Sequence, residues 1–399
     1  MEYSCDLESP ERMRLWAGIS TISAALQRRV WTEVKFQHCY ANMYVLLCGP
    51  PGVGKGNAMK LLGNWLREID ALWISPDGLT RRSFFSTMEA AVCEDLSFAE
   101  SGSALDSLSK RHHSLTAFIE ELGVFLHAGD NDFIYTLCHI YDTPTRFHYK
   151  TESAGENYFE NAWFSMLSAV TPKGLKDIFT DQALEMGISA RTVIIYSDEK
   201  IDVDIFGKID RKQALEKDLK FDLNRITKIQ GQYQFEQDAA TELVAWAATG
   251  FKPEPKDPRF THYNSRRFVQ IIKLCMICAA SKRQDPIILK EDLFQAKTFL
   301  LEAERVMSGA VASIGSNPYL DTQQRAIRLI NTKYETQKKG TIESELRQQL
   351  SQDLDPRYSD MILDDIAKAR WVSTTGDKPN RTFWPRGRTS EDPSSAGVQ

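Results

Sequence analysis

The sequence predicts an α/β protein built on a buried, mainly parallel sheet, and three observations predict it. Between residues 43 and 200 short apolar runs alternate with helical stretches, the pattern of strands covered on both faces and joined by helical crossovers. A glycine-rich loop stands directly between one such run and a helix, where α/β folds carry phosphate sites. After about residue 205 long charged, amphipathic helices take over, confining the sheet to the first half of the chain. The 399 residues are 42% hydrophobic, 26% charged and 10% aromatic, which supplies a sizeable core and excludes a disordered, collagen-like or disulfide-scaffold chain.

Taken in order, residues 1–41 form an N-terminal helical segment. Ser9-Pro10-Glu11 starts its helix with a capping residue and a proline at the first helical position, and Met13, Leu15, Trp16, Ile19, Ile22 and Leu26 carry it to about Arg29. Residues 42–204 are the core, with strands expected at 43–48 (MYVLLC), 71–75 (ALWIS), 115–119 (LTAFI), 162–170 (AWFSMLSAV) and 191–197 (RTVIIYS). The serine-rich stretch 94–112 reads as a surface loop. Residues 205–313 form a helical lid, with linkers at 250–260 and 313–321. In the block 320–386, three helices (326–334, 341–350, 359–369) precede a hairpin over 371–385, which is a winged-helix order. The polar residues 387–399 are expected to be disordered.

Charge and cysteine usage narrow the classes. Forty-nine basic and 54 acidic residues leave a net charge of −5, so nucleic acid must be gripped through local patches. Seven scattered cysteines point to a reducing cytoplasm. No apolar run reaches the roughly 18–20 residues of a membrane span, and the charged opening residues lack a signal-peptide core, so no membrane partner is expected.

The loop is Gly49-Pro50-Pro51-Gly52-Val53-Gly54-Lys55-Gly56, followed by a helix from Asn57. Glycines let successive N–H groups turn toward phosphate oxygens, the helix N-terminus adds its positive end, and Lys55 reaches the outer phosphates. This is a Walker A loop with one departure. Gly56 replaces the serine or threonine whose hydroxyl holds Mg²⁺, leaving water or Asn57 to fill that place.

LTAFIEE (115–121) is an apolar strand ending in two carboxylates, 65 residues after Lys55. Glu120 takes the metal position, and Glu121 polarises the attacking water. Thr171 closes the 162–170 strand and can touch the γ-phosphate or its water. Arg191, directly before a strand, can enter a neighbouring subunit's nucleotide site as an arginine finger.

This series resembles an AAA+ ATPase. Residues 265–300 resemble the sensor-2 helix and following lid helix of minichromosome-maintenance-type AAA+ proteins, with Arg266 the best match to the arginine heading that helix and Arg267 its rival, which implies that Arg266 senses the γ-phosphate. Segments 9–31, 42–56, 118–126 and 141–172 resemble phage- and prophage-encoded helicase-like P-loop ATPases, which often accompany primases. The resemblance implies a P-loop NTPase core of three layers with a helical lid, ATP and Mg²⁺ as cofactors, and a homo-oligomeric ring, a hexamer, in the cytoplasm (the host's, if phage-encoded). It implies a DNA-replication ATPase, either a replicative helicase moving on single-stranded or forked DNA or a non-unwinding loader or initiator. A primase or other replication protein is an implied partner. A nucleotide-binding module with weak ATPase remains open because of Gly56. A small-molecule kinase is disfavoured by the lid and the winged helix.

Two surfaces are candidates for DNA. Residues 146–163 alternate about a turn containing Gly155 and predict a β-hairpin just before the Thr171 strand. Ring helicases project such a hairpin into the pore, where Lys150 would meet a backbone phosphate and His148 or Tyr149 a base. Residues 366–388 hold six basic side chains against Asp377. Lys378 lies in the hairpin turn there and Arg381 on its return strand. Asp360, Asp364 and Asp365 on the preceding helix oppose DNA, so DNA and protein are equal partners for this block. Cys275–Cys278 inside an apolar helix, His112–His113 and Cys138–His139 lack the four ligands of a zinc site. TKYE (332–335) only faintly resembles a guanine-specificity motif, which leaves ATP preferred.

Overall fold

The computed structural model describes residues 2–34, 37–94, 111–127, 129–151, 155–180, 187–201, 213–257, 260–311, 320–350 and 356–389. The chain is mixed α/β and divides into two compact units, Met1–Ile314 and Gly315–Gln399. The boundary falls inside the linker expected at 313–321, whose residues 312–319 lie outside the described ones, as do 95–110 of the serine-rich stretch and 390–399 of the tail.

In the first unit, β1 (Val30–Val34) and β2 (Gln37–Tyr40) form an antiparallel ladder. The main sheet contains β3 (Tyr44–Cys48), β4 (Val92–Glu94) and β5 (Arg111–Ile119). A separate hairpin of β6 (Arg146–Thr151) and β7 (Gly155–Glu160) follows, then β8 (Ala162–Val170) and β9 (Thr192–Tyr196) rejoin the main sheet. Its order is β4-β5-β8-β3-β9. All neighbours are parallel except β4, which runs antiparallel to β5.

Every residue of β3 and β8 is buried, as strands covered on both faces require. Alternation divides them. Val45 and Leu47 join a core with helices Glu11–Leu26, Lys55–Arg67 and Thr261–Ala280, while Tyr44, Leu46 and Cys48 join a second core with helices Arg81–Ala90 and Asn131–Tyr141.

Several expectations are corrected here. Residues 71–75 form no strand; Ile74 makes one parallel bridge to Thr116, and Trp73 stays 41% exposed. The segment lies along β5 beyond the β4 pairing, with Ser75 N donating to Thr116 O and Thr116 N to Trp73 O, and its ladder extends no further. The strand expected at 115–119 begins at Arg111, which moves His112 and His113 out of the loop into a buried ladder. The segments 1–41, 42–204 and 205–313 all fall in the first compact unit, where the N-terminal helix and the helices Thr261–Ala280 and Lys290–Val311 share a core with the sheet. In the stretch 250–260, of which residues 258–259 lie outside the described ones, Phe251 and Pro253 are tied to this unit by their carbonyls, which accept from Arg267.

The second unit has helices Leu320–Gln337, Glu343–Leu350 and Pro356–Lys368. Strands Val372–Thr375 and Thr382–Pro385 pair antiparallel, and the unexpected two-residue strand Thr341–Ile342 adds to the outer side of Thr382–Pro385. Ala326, Ile330, Leu346, Leu350, Leu363, Ile366, Val372 and Phe383 make its core. No described helix is long and apolar enough to cross a membrane.

Candidate functional site

The loop 49–54 leaves the C-terminal end of β3 and enters helix Lys55–Arg67. Gly52 and Gly54 hold φ of +82° and +76°, a region costly for any residue with a β-carbon. Gly54 is also pressed by the chain's own start: a β-carbon there would lie 1.4 Å from the Glu8 carbonyl oxygen. Asn57 Nδ2 donates to that same oxygen at 3.1 Å. Gly49 lies against Ser197 O and Met13, while Pro51, Gly52 and Asn57 remain exposed. Lys55 and Gly56 occupy the first two helical positions, where amides have no carbonyl one turn back. Lys55 Nζ folds over the loop, donating to Gly49 O at 2.7 Å and Pro50 O at 2.8 Å. Burial pulls its pKa below the usual lysine range, against the opposing pull of Cys48 and the Glu121 carboxylate.

Glu120 and Glu121 follow β5 directly and are exposed. Glu120 turns toward the loop helix: a methyl group at Gly56 would be 3.8 Å from its Oε2, and Lys60 Nζ lies 3.2 Å from the same oxygen. Thr171 caps helix Pro172–Ile178, its Oγ1 accepting from Gly174 N at 3.1 Å. A β-carbon on Gly174 would meet Thr171 Oγ1 at 3.3 Å and Glu121 Oε1 at 3.8 Å. Because β8 lies between β3 and β5, Lys55, Thr171 and Glu121 come to one edge of the sheet from three adjacent strands. Thr171 still has a proton to donate while it caps.

Arg191 and Arg266 do not join this group. Thr192, next to Arg191, pairs with Tyr44 at the N-terminal end of β3. That is the far edge of the sheet, roughly 17–20 Å from the loop at ~3.3 Å per strand residue. Both guanidiniums meet one carboxylate there. Arg191 pairs with Asp142 Oδ2, and Arg266 Nη1 with Asp142 Oδ1 at 2.8 Å. Burial alone would raise the Asp142 carboxyl, but Arg191 and then Arg266 carry it below the usual range. Arg267, the rival to Arg266, is only 1% exposed and forms a two-pronged ion pair with Glu304, at 2.6 and 2.7 Å. It is a structural strut.

The hairpin expected at 146–163 is present, and residues 152–154 of its turn lie outside the described ones. His148 Nε2 and Lys150 Nζ both meet Glu156, at 2.6 and 3.3 Å. Tyr149 points inward and stacks on Phe85, centroids 3.9 Å apart, so it has no free face on that side for a base. In the second unit Lys378 pairs with Asp364, and Arg381 bridges Glu343 and Asp364. Cys275 and Cys278 are buried free thiols. Among the described residues no three His, Cys, Asp or Glu side chains gather as a metal cluster.

Sequence reasoning missed Glu8 over the loop and Asp142 between the arginines. Neither carries a local signal, since their partners are 49 or more positions away. No family model matches the chain, and no curated protein is significantly similar to it.

Proposed function

We propose that the protein is an ATP-hydrolysing motor of DNA replication, a ring-forming P-loop ATPase of AAA+ type that moves on single-stranded DNA as a replicative helicase. The observation that carries this reading is the convergence of Lys55, Glu120, Glu121 and Thr171 on one sheet edge around a glycine loop exposed at Pro51 and Gly52. The amides from Gly52 to Gly56 and the Lys55 ammonium are suited to triphosphate oxygens. On this reading Lys55 exchanges its two carbonyl partners for the outer phosphates. Glu121 accepts a proton from the attacking water, and Thr171 orients that water or the γ-phosphate.

Mg²⁺ requires hard oxygen donors, only one or two of them carboxylates. Glu120 beside the bare Cα of Gly56 fits that need, and water takes the place of the missing hydroxyl. Bound with the nucleotide, the ion neutralises phosphate charge. Arg191 and Arg266, on the far edge, would serve the nucleotide of an adjoining subunit. The second unit would be a winged helix.

The loader reading keeps one observation of its own: Lys60 pairs with Glu120, and with Gly56 this suits slow turnover. ATPase rates with and without single-stranded DNA, on wild type and Glu121→Gln, test the proposal. DNA is expected to stimulate the wild type, and Glu121→Gln to lose about 10²-fold or more while still binding ATP. A rate indifferent to both DNA and the mutation overturns it. Stimulation without unwinding of a forked duplex selects the loader.

A further inference from the structure

We propose that the base of the C-terminal hairpin, centred on Trp371, is a platform for single-stranded nucleic acid. It rests on the motor reading for its choice of nucleic acid over protein. It departs from the hairpin turn and the return strand, where Lys378 and Arg381 are the expected partners of DNA. Those two are engaged elsewhere: Arg381, its side chain 13% exposed, bridges Glu343 and Asp364, and Lys378 is held by Asp364. The same pairs occupy acids that weigh against DNA, and Asp360 is taken by Arg347 at 2.9 Å.

The opposite end of the hairpin is different. Val372 pairs with Pro385, so Trp371 and Arg386 flank one cross-strand pair. Arg370 and Lys368 enter from the helix end, where Arg370 N and Trp371 N bond back to Ala367 O and Ile366 O. Arg388 is drawn in by its amide bond to Pro385 O and by its guanidinium lying 5.9 Å over the Tyr334 ring. Trp371 is 40% exposed, and Lys368, Arg370, Arg386 and Arg388 are all exposed, without a carboxylate at ion-pair distance among the described residues. Even counting Asp365, half-buried on the preceding turn, four cations against one acid leave a surplus of three.

A large apolar ring surrounded by exposed cations suits a base and its flanking phosphates. An unstacked base covers the indole face, and guanidiniums meet the backbone on either side. Paired bases in a duplex keep their faces stacked and cannot cover it, so the ring selects single strands.

Binding of labelled oligothymidylate and oligouridylate to the full-length chain, followed by fluorescence anisotropy across a salt series, tests the platform. Trp371→Ala is expected to weaken binding roughly tenfold or more, the size of one base–aromatic stack. Arg386→Gln with Arg388→Gln should lower the salt slope by about 0.7 for each phosphate no longer neutralised. Lys378→Gln should change binding little. The two oligonucleotides tell DNA from RNA. Folded Trp371→Ala and double-arginine variants that bind with wild-type affinity and slope overturn the proposal, and a protein partner for the patch would give that result. Should Trp371→Ala not fold, Trp371→Phe keeps the ring and is expected to retain binding while losing part of the tryptophan quenching by oligonucleotide; undiminished quenching overturns the proposal. ATPase that ignores DNA, in a protein that still binds through Trp371, removes the motor and leaves the platform. DNA-stimulated ATPase with binding indifferent to Trp371 does the reverse.

Discussion

At the scale of single residues, the candidate site depends on an atom that is absent. Gly54 touches the Glu8 carbonyl so closely that a β-carbon would sit 1.4 Å from it, on backbone at φ +76°. Gly54→Ala must therefore move the loop or lift the Glu8 segment, and either disturbs the amides that would face phosphate. An affinity loss of at least about 100-fold (~2.7 kcal/mol) is expected, read by titration with a fluorescent ATP analogue. Gly18→Ala, with nothing within 4 Å, is expected to bind normally; parity between the two variants would show that the loop is not the nucleotide seat. Lys273 makes a second residue-level statement. Its ammonium is buried, donating to Asn42 O and Oδ1 at 2.9 and 2.6 Å over the Tyr141 ring. Burial pushes its pKa down to about 8, with Cys39 and Asp142 pulling up and Arg191 and Arg266 pushing down. The unfolded chain holds this proton up to its ordinary value of 10.5. The penalty of burying the charge is thus complete below about pH 8 and relieved as pH rises through 8 toward 10.5. Urea denaturation at pH 7.5 and 9.5 should find wild type gaining about 2 kcal/mol relative to Lys273→Met. A pH-independent difference would show the lysine to be hydrated.

Elements differ in how plainly the sequence announces them, and the reason is physical. β3, β8 and β9 are legible because strands buried on both faces must be continuous apolar runs. Residues 71–75 share that texture yet make a single bridge, because composition does not reveal how far a segment stays paired with its neighbour. The helices Thr261–Ala280 and Lys290–Val311 are legible as helices, whereas their packing on the sheet core is not: an amphipathic stripe does not name its partner. At the site, Lys55, Glu120, Glu121 and Thr171 are each tied to a strand end and so come with the strands. The far-edge cluster needs Asp142, 49 positions from Arg191 and 124 from Arg266, which no local pattern encodes. The helix Thr261–Ala280 supplies a test of that packing. Arg267 and Glu304 are nearly inaccessible, and burial raises the Glu304 carboxyl against the opposing pull of Arg267. Arg267→Met alone strands a carboxylate and should destabilise by about 3–5 kcal/mol. Adding Glu304→Leu should recover part of that, since an apolar pair can match a buried ion pair while the Phe251 and Pro253 carbonyls and the Tyr263 hydroxyl still lose their partners. Denaturation midpoints of both variants measure it; additive losses would mean that the pair is not coupled.

For the whole molecule, the decisive matter is that Lys55, Glu121 and Thr171 gather at the C-terminal end of the main sheet's strands, whereas the two arginines lie at the other end. A chain acting alone would leave Arg191 and Arg266 on Asp142, remote from the proposed nucleotide seat. A head-to-tail ring brings one edge against the next protomer's other edge, and such heterologous interfaces close on themselves when the rotation permits. Two defective variants should then complement. Glu121→Gln subunits retain Arg191, Arg191→Ala subunits retain Glu121, and each alone is expected to be nearly inactive, since an arginine finger is worth roughly 10³–10⁵ in rate. Mixed in equal amounts and allowed to exchange, about one site in four should combine an intact Glu121 with an intact neighbouring Arg191. ATPase should therefore return to roughly a quarter of the wild-type rate per subunit, and should fall on dilution below the assembly concentration. If the mixture stays as inactive as its components while co-purification through a tag on one variant shows mixed assemblies, Arg191 acts within its own chain and the sheet must rearrange to bring it there. If Arg191→Ala alone retains full activity, Asp142 and the two arginines are a fixed brace, and the far edge has no part in hydrolysis.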